Sequence, residues 1–190
     1  MTTSSVSAKL PGKEGLWFFI AFDMSIFLLF FLSYMHERSK NVDLFNQAQS
    51  TLNISIGGIN TLILLTSSWF VVMAVRSARK DRLRELARYI LLAASCGSIF
   101  LALKMIEYID KIQSGTTLLT NSFFTFYFFL TGIHFLHALG GTVILLILWR
   151  NTRKGAYTSK SMAGLESGAT YWHMVDLLWI VIFPLLYLVR

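Results

Sequence analysis

Seven residues able to carry acid–base or ligand chemistry lie inside long apolar runs: Asp23, Lys104, Glu107, His134, His137, His173 and Asp176. Carboxylates and imidazoles hold or pass protons, and imidazoles also bind metals and haem. A charged side chain at the middle of a bilayer costs about 2.5–3.5 kcal/mol on insertion scales. Such groups are therefore expected to face protein and to find a partner.

Their spacing separates the readings. Lys104 and Glu107 are three apart, so they can pair on one helix face as a locally satisfied structural pair near its outer end. His134 and His137 are also three apart. Two axial haem ligands must approach one porphyrin from opposite sides, which neighbours on one helix face cannot do. His173 lies at a shallower depth and is poorly placed to complete a bis-histidine site. Interhelical hydrogen bonding is the expected role of His134 and His137. Asp23, His137, His173 and Asp176 are expected to form a polar core in one half of the membrane. No nucleophile–base arrangement and no phosphate-loop glycine spacing occurs. The lone Cys96 offers neither an internal disulfide nor a zinc site. No catalytic, metal or cofactor-binding residue is assigned.

The elements that carry these residues follow from composition. Of the 190 residues, 55% are hydrophobic and 14% charged, and the mean hydropathy is +0.58. Soluble domains carry about 25% charged residues. Five apolar runs, at 16–35, 56–75, 86–109, 123–149 and 168–189, are each long enough to cross roughly 30 Å of hydrocarbon as a helix. They are continuous and do not alternate, which disfavours barrel strands. The predicted fold is all-α, a bundle of five transmembrane helices. Residues 1–15 form a polar tail and 16–190 the membrane domain. The first run lacks an A-x-A-like cleavage pattern and reads as a retained helix. Close helix approach is expected at Gly57-Gly58, Gly97-Ser98, Gly132 and Gly140-Gly141. The FFTFYFF run at 123–129 reads as lipid- or partner-facing packing with Tyr127 as a polar handle, in preference to a quinone platform. Pro184 is expected to kink or end the last helix.

Basic residues give a direction. Lys9, Lys13, Arg76, Arg79, Lys80, Arg82, Arg84, Arg88, Arg150, Arg153, Lys154 and Lys160 fall on one side if five helices alternate. Only Arg38, Lys40, Lys111 and Arg190 fall on the other. The positive-inside rule then predicts a cytoplasmic N-terminus and an external C-terminus. The net charge of +7 reads as this topology signal, and no nucleic-acid partner is expected.

Several motifs resemble the haem–copper oxidase subunit III family. FFLTGIHFLHALGG is similar to its T-G-x-H-x-x-H-x-x-x-G signature, and YWHMVDLLWIVIFPLLYL to its closing Y-W-H-x-V-D-x-x-W segment. GLWFFIAFDMSIFLLFF resembles its first shared helix, with Asp23 where many members carry Glu. The five-helix count is similar to the short form, which lacks the two helices that complete the long form's lipid-holding cleft. LPGKEGLWFFIAFDM, FLALKMIEYIDKI and TNSFFTFYFFLTG further resemble the accessory branch associated with nitric oxide reductase.

The resemblance implies a non-catalytic multi-pass subunit or accessory protein of the bacterial inner membrane. Its partner would be a catalytic subunit I that holds the haem and metal, here most like that of nitric oxide reductase. Its role would be to support assembly, stability or proton uptake, with Asp23 at the family's carboxyl-reactive position. No cofactor is expected in this chain, while membrane lipids are partners and bound phospholipid is allowed. Subunit III of a cytochrome c or quinol oxidase is the alternative. Two other classes stay open: a small proton or ion transporter using the buried acids, and a haem-binding membrane redox protein using the histidines.

Overall fold

The computed structural model describes residues 14–159 and 161–189. The expected tail at 1–15, and with it Lys9, Lys13, Lys160 and Arg190 of the charge count, lies largely outside these residues. The chain forms α1 (Glu14–Lys40), α2 (Val42–Ser50), α3 (Ile54–Arg79), α4 (Leu83–Gln113), α5 (Ser122–Arg153) and α6 (Ala163–Phe183), closed by a π-helical turn at Pro184–Leu188. Among the described residues, five helices are long and apolar enough to cross a membrane. At 32 residues, α5 is about 48 Å long, so it tilts or projects beyond the hydrocarbon.

Short polar signals set the helix ends. The Asn53 side chain accepts from the Ile56 amide at 3.2 Å and starts α3, and Asn121 caps α5 through the Phe124 amide at 2.9 Å. Gly115 and Gly155, with φ of 78° and 73°, follow α4 and α5 in the left-handed conformation that stops a helix.

Polar ties at each end show that the long helices alternate in direction. At one end, Lys111 Nζ of α4 donates to the Thr51 carbonyl at 2.8 Å. Arg38 there holds Asn46 at 3.0 Å and the Val189 carbonyl. At the other end, the Ser159 amide donates to Asp81 Oδ1 at 2.7 Å, and Arg79 pairs with Glu166 at 3.3 Å.

The core sits around α6, where Trp172, Val175, Leu178, Trp179 and Ile182 are all buried. Trp172 lies between two glycines. A Cβ at Gly97 would stand 2.7 Å from its ring, and one at Gly141 also 2.7 Å. Gly57 likewise admits Phe183, which a Cβ would meet at 2.7 Å. Helix α1 is the outlying element: Phe18, Phe22, Leu29 and Leu32 are exposed along it.

Several sequence expectations need correction. Gly58 and Gly132 face open space, so they are not points of close approach. Phe123 and Phe124 of the aromatic run are buried, because Phe123 packs edge-on against Phe45 of α2. Helix α2 was not foreseen. Arg38, counted among the few basic residues of the opposite side, is buried in the last turn of α1. Pro184 does end the α-helix, which stops at Phe183 as expected, but the chain continues helically. It opens a wider turn in which the Val189 amide donates to the Pro184 carbonyl at 3.0 Å.

Candidate functional site

The seven singled-out residues occupy separate places in the bundle. Asp23 of α1 is 8% exposed, on the inner face of the helix with Phe27 and Tyr34. Its Oδ1 lies 3.1 Å from His137 Nε2 of α5. The other ring nitrogen, Nδ1, lies 2.9 Å from the Ile133 carbonyl. A carbonyl only accepts, so Nδ1 carries a proton. The Nε2–Oδ1 contact then also holds one proton. It is either a carboxylic acid donating to neutral imidazole or an imidazolium donating to carboxylate. Both forms are neutral as a pair, which suits a site within the membrane. Asp23 Oδ2 is buried without a partner among the described residues. The Phe27 ring meets His137 edge-on at 5.8 Å.

On α6, His173 and Asp176 lie three residues apart beside Ser68 of α3, whose Oγ is 2.6 Å from His173 Nδ1. Asp176 Oδ1 is buried and unpartnered among the described residues. A groove of about 250 Å³ between α3 and α6 reaches His173, with Arg76, Arg79 and Glu166 around it. The expected four-membered polar core is thus two pairs. No hydrogen bond or ion pair joins Asp23–His137 to His173–Asp176 among the described residues. The physical reason is rotation: His137 faces α1, whereas His173 faces α3.

Lys104 and Glu107 of α4 form the third place. Nζ lies 3.0 Å from Glu107 Oε2, and Lys104 is fully buried. Two residues complete the cluster. Tyr127 of α5 donates to Glu107 Oε1 at 2.7 Å, and Tyr187 of the π-helical turn donates to the same oxygen. Lys104 Nζ also lies 2.9 Å from the Tyr187 hydroxyl and 5.1 Å from the Trp179 ring centroid. The pair is therefore not satisfied by one helix alone, as its spacing implied, but by α4, α5 and the C-terminal turn together.

His134 corrects a further expectation. Both ring nitrogens are buried without a hydrogen-bond partner among the described residues. The ring packs between Phe100 at 5.6 Å and Trp179 at 5.1 Å, so aromatic contact replaces the interhelical hydrogen bond. The three intramembrane histidines thus point to three different neighbourhoods. Sequence spacing named neither Ser68, Trp179 nor Tyr187 as a participant. Tyr187 alone had a signal: a hydroxyl three residues beyond a proline in an otherwise apolar segment.

Comparison with known proteins bears on this arrangement. The family model described as "Cytochrome c oxidase subunit III" matches residues 3–189. The chain belongs to the cytochrome c oxidase subunit III family. Cytochrome c oxidase subunit 3 of Synechocystis sp. is 34% identical over 92% of this chain and 74% of its own length. That of Thermostichus vulcanus is 35% identical over 68% of this chain and 64% of its own length. A probable cytochrome c oxidase subunit 3 of Nocardia farcinica is 26% identical over 93% of this chain and 87% of its own. These relatives carry the cytochrome c oxidase name, and the expected nitric oxide reductase branch finds no support among them. With its five apolar helices and bacterial relatives, the subunit III family member is a multi-pass protein of the bacterial inner membrane. Its family supplies a non-catalytic subunit to a haem–copper oxidase and carries no redox centre of its own.

Proposed function

We propose that this chain is subunit III of a cytochrome c or quinol oxidase, packed laterally on the catalytic subunit I. It stabilises that subunit and supports proton uptake, while haem and copper chemistry belongs to the partner. The observation that carries the reading is the burial of Asp23 on the inner face of the outlying helix α1, against His137. An acid held in such a place, sharing one proton with an imidazole, is suited to proton handling and poorly suited to redox chemistry.

The orientation belongs to the same reading. The arginine-rich connections α3–α4 and α5–α6 face the cytoplasm, so the groove that reaches His173 opens toward the side from which protons enter. Ser68 is bonded to His173 at its edge, and Asp176 lies one turn further along α6. The buried Lys104–Glu107–Tyr127–Tyr187 cluster, near the opposite end, has every carboxylate oxygen engaged and serves as structure.

Mild-detergent purification of the whole complex tests the assignment. The chain is expected to copurify with a haem-bearing subunit whose turnover decays faster when Asp23→Leu is introduced, with unchanged haem absorption bands. Isolation of a free bundle with no haem-bearing partner would overturn it. So would a Soret band carried by this chain alone.

A further inference from the structure

We propose that the π-helical turn at Pro184–Leu188 is a latch for α1, and that its grip on Tyr34 and Arg38 sets where Asp23 stands against His137. Lipid tails and helix surfaces are equally apolar, so apolar contact alone does little to fix a helix within a membrane. Helix α1 is the element for which this matters most. It packs at the edge of the bundle, on α2, α5 and α6, and is exposed at Phe18, Phe22, Leu29 and Leu32. Its buried residues Asp23, Phe27, Tyr34 and Arg38 follow at intervals of four, seven and four, so they share one inner face. Three of them carry polar groups, and each of the three bonds to a group outside α1.

The shifted hydrogen bonds of the turn build the latch. The Val189 amide donates to the Pro184 carbonyl at 3.0 Å, one residue further back than in an α-helix. The Leu185 carbonyl thereby loses its α-helical donor, and the Tyr34 hydroxyl donates to it at 3.2 Å. The Arg38 guanidinium donates to the Val189 carbonyl and to Asn46 Oδ1 of α2 at 3.0 Å. The turn itself is held from elsewhere. Leu186 and Tyr187 are buried, and Tyr187 donates to Glu107 of α4. The turn is thus a fixed point against which the outlying helix is set. Asp23 lies fifteen residues before Arg38, about 22 Å along the helix, so α1 is pinned at two levels. Released at the turn, α1 would pivot on the remaining Asp23–His137 contact, and hydrogen bonds weaken steeply with misalignment.

The test is double electron–electron resonance on the full chain in nanodiscs, with the single native thiol removed by Cys96→Ser. Spin labels at Phe22→Cys of α1 and Leu92→Cys of α4, both exposed, report where α1 stands at the level of Asp23. Labels at Leu65→Cys of α3 and Val143→Cys of α5, also exposed, report the rest of the bundle. Y34F/R38Q removes the donors to the turn and is expected to broaden the first distance distribution while leaving the second unchanged. Y34F alone keeps its ring against Phe45 and Phe126 and should give a smaller change of the same kind, which keeps the test decisive if the double variant misfolds. R38K retains a cationic donor and should stay closer to wild type than R38Q. E37Q/K40Q breaks the exposed pair near the same end of α1 and should change neither distribution. Three results would overturn the proposal. One is an unchanged first distribution in Y34F/R38Q. Another is broadening of both distributions in Y34F alone, which would mark a general loss of packing. The third is equal broadening by E37Q/K40Q, which would mark fraying of the helix end.

Discussion

Asp23 Oδ1 and His137 Nε2, 3.1 Å apart, form the one acid–base side-chain pair that ties α1 to another helix among the described residues. Because His137 Nδ1 is committed to the Ile133 carbonyl, removing the carboxyl group strands Nε2. A buried polar group left without its partner costs about 1–3 kcal/mol. Asp23→Leu is therefore expected to lower the thermal midpoint of the purified chain in mild detergent. Asp23→Leu with His137→Phe should recover more than half of the loss, since both partners are then apolar. A double variant no better than the single would show that the contact contributes nothing as a pair.

Trp172 makes a second prediction, because its ring fills the space left by two missing Cβ atoms. Gly141→Val should overpack this contact and cost about 1–3 kcal/mol. Gly132→Ala, on a residue with open space around it, should change stability by less than about 0.5 kcal/mol. Thermal melts of the two variants in one detergent decide the matter. Equal effects would mean that the helices adjust freely at Trp172.

These two cases also mark how far the sequence could be read. The five spans were legible because a lipid-facing backbone must satisfy itself over an unbroken apolar run. The Lys104–Glu107 pair was legible because three residues bring side chains onto one helix face. Which glycines touch a partner, and whether His134 finds one, depends on the rotation of each helix about its axis. A string of apolar residues does not encode that rotation strongly, since lipid and protein interior are equally greasy. Helix α2 stayed hidden because it is nine residues long and buries only Phe45, Ala48 and Gln49. Tyr187 was missed as a partner of Glu107 because 80 residues separate them. The π-helical turn that brings its hydroxyl inward depends on Pro184, whose sequence signal says only that an ordinary helix is interrupted.

The Glu107 cluster supports a third prediction. Glu107→Ala leaves the buried Lys104 ammonium without its carboxylate, and breaking a buried pair costs about 3–5 kcal/mol. Lys104→Met with Glu107→Leu removes both charges and should cost much less. Since Tyr187 binds Glu107 from the C-terminal turn, the single variant should also expose residues 184–189 to carboxypeptidase. Digestion followed by intact mass measurement tests this. An uncleaved C-terminus in a destabilised Glu107→Ala chain would show that the turn is held by its apolar contacts.

The topology yields the last prediction. Thr117, between α4 and α5, and Ala156, after α5, are both exposed and lie at opposite ends of the 32-residue α5. If the arginine-rich connections face the cytoplasm, a membrane-impermeant maleimide should label Thr117→Cys in spheroplasts, and Ala156→Cys only after permeabilisation. Cys96→Ser provides the background, because Cys96 is the single native thiol. The reverse pattern would invert the bundle and turn the His173 groove toward the outside. It would then remove the route by which this subunit could support proton uptake, while leaving the family membership and the Asp23–His137 pair untouched.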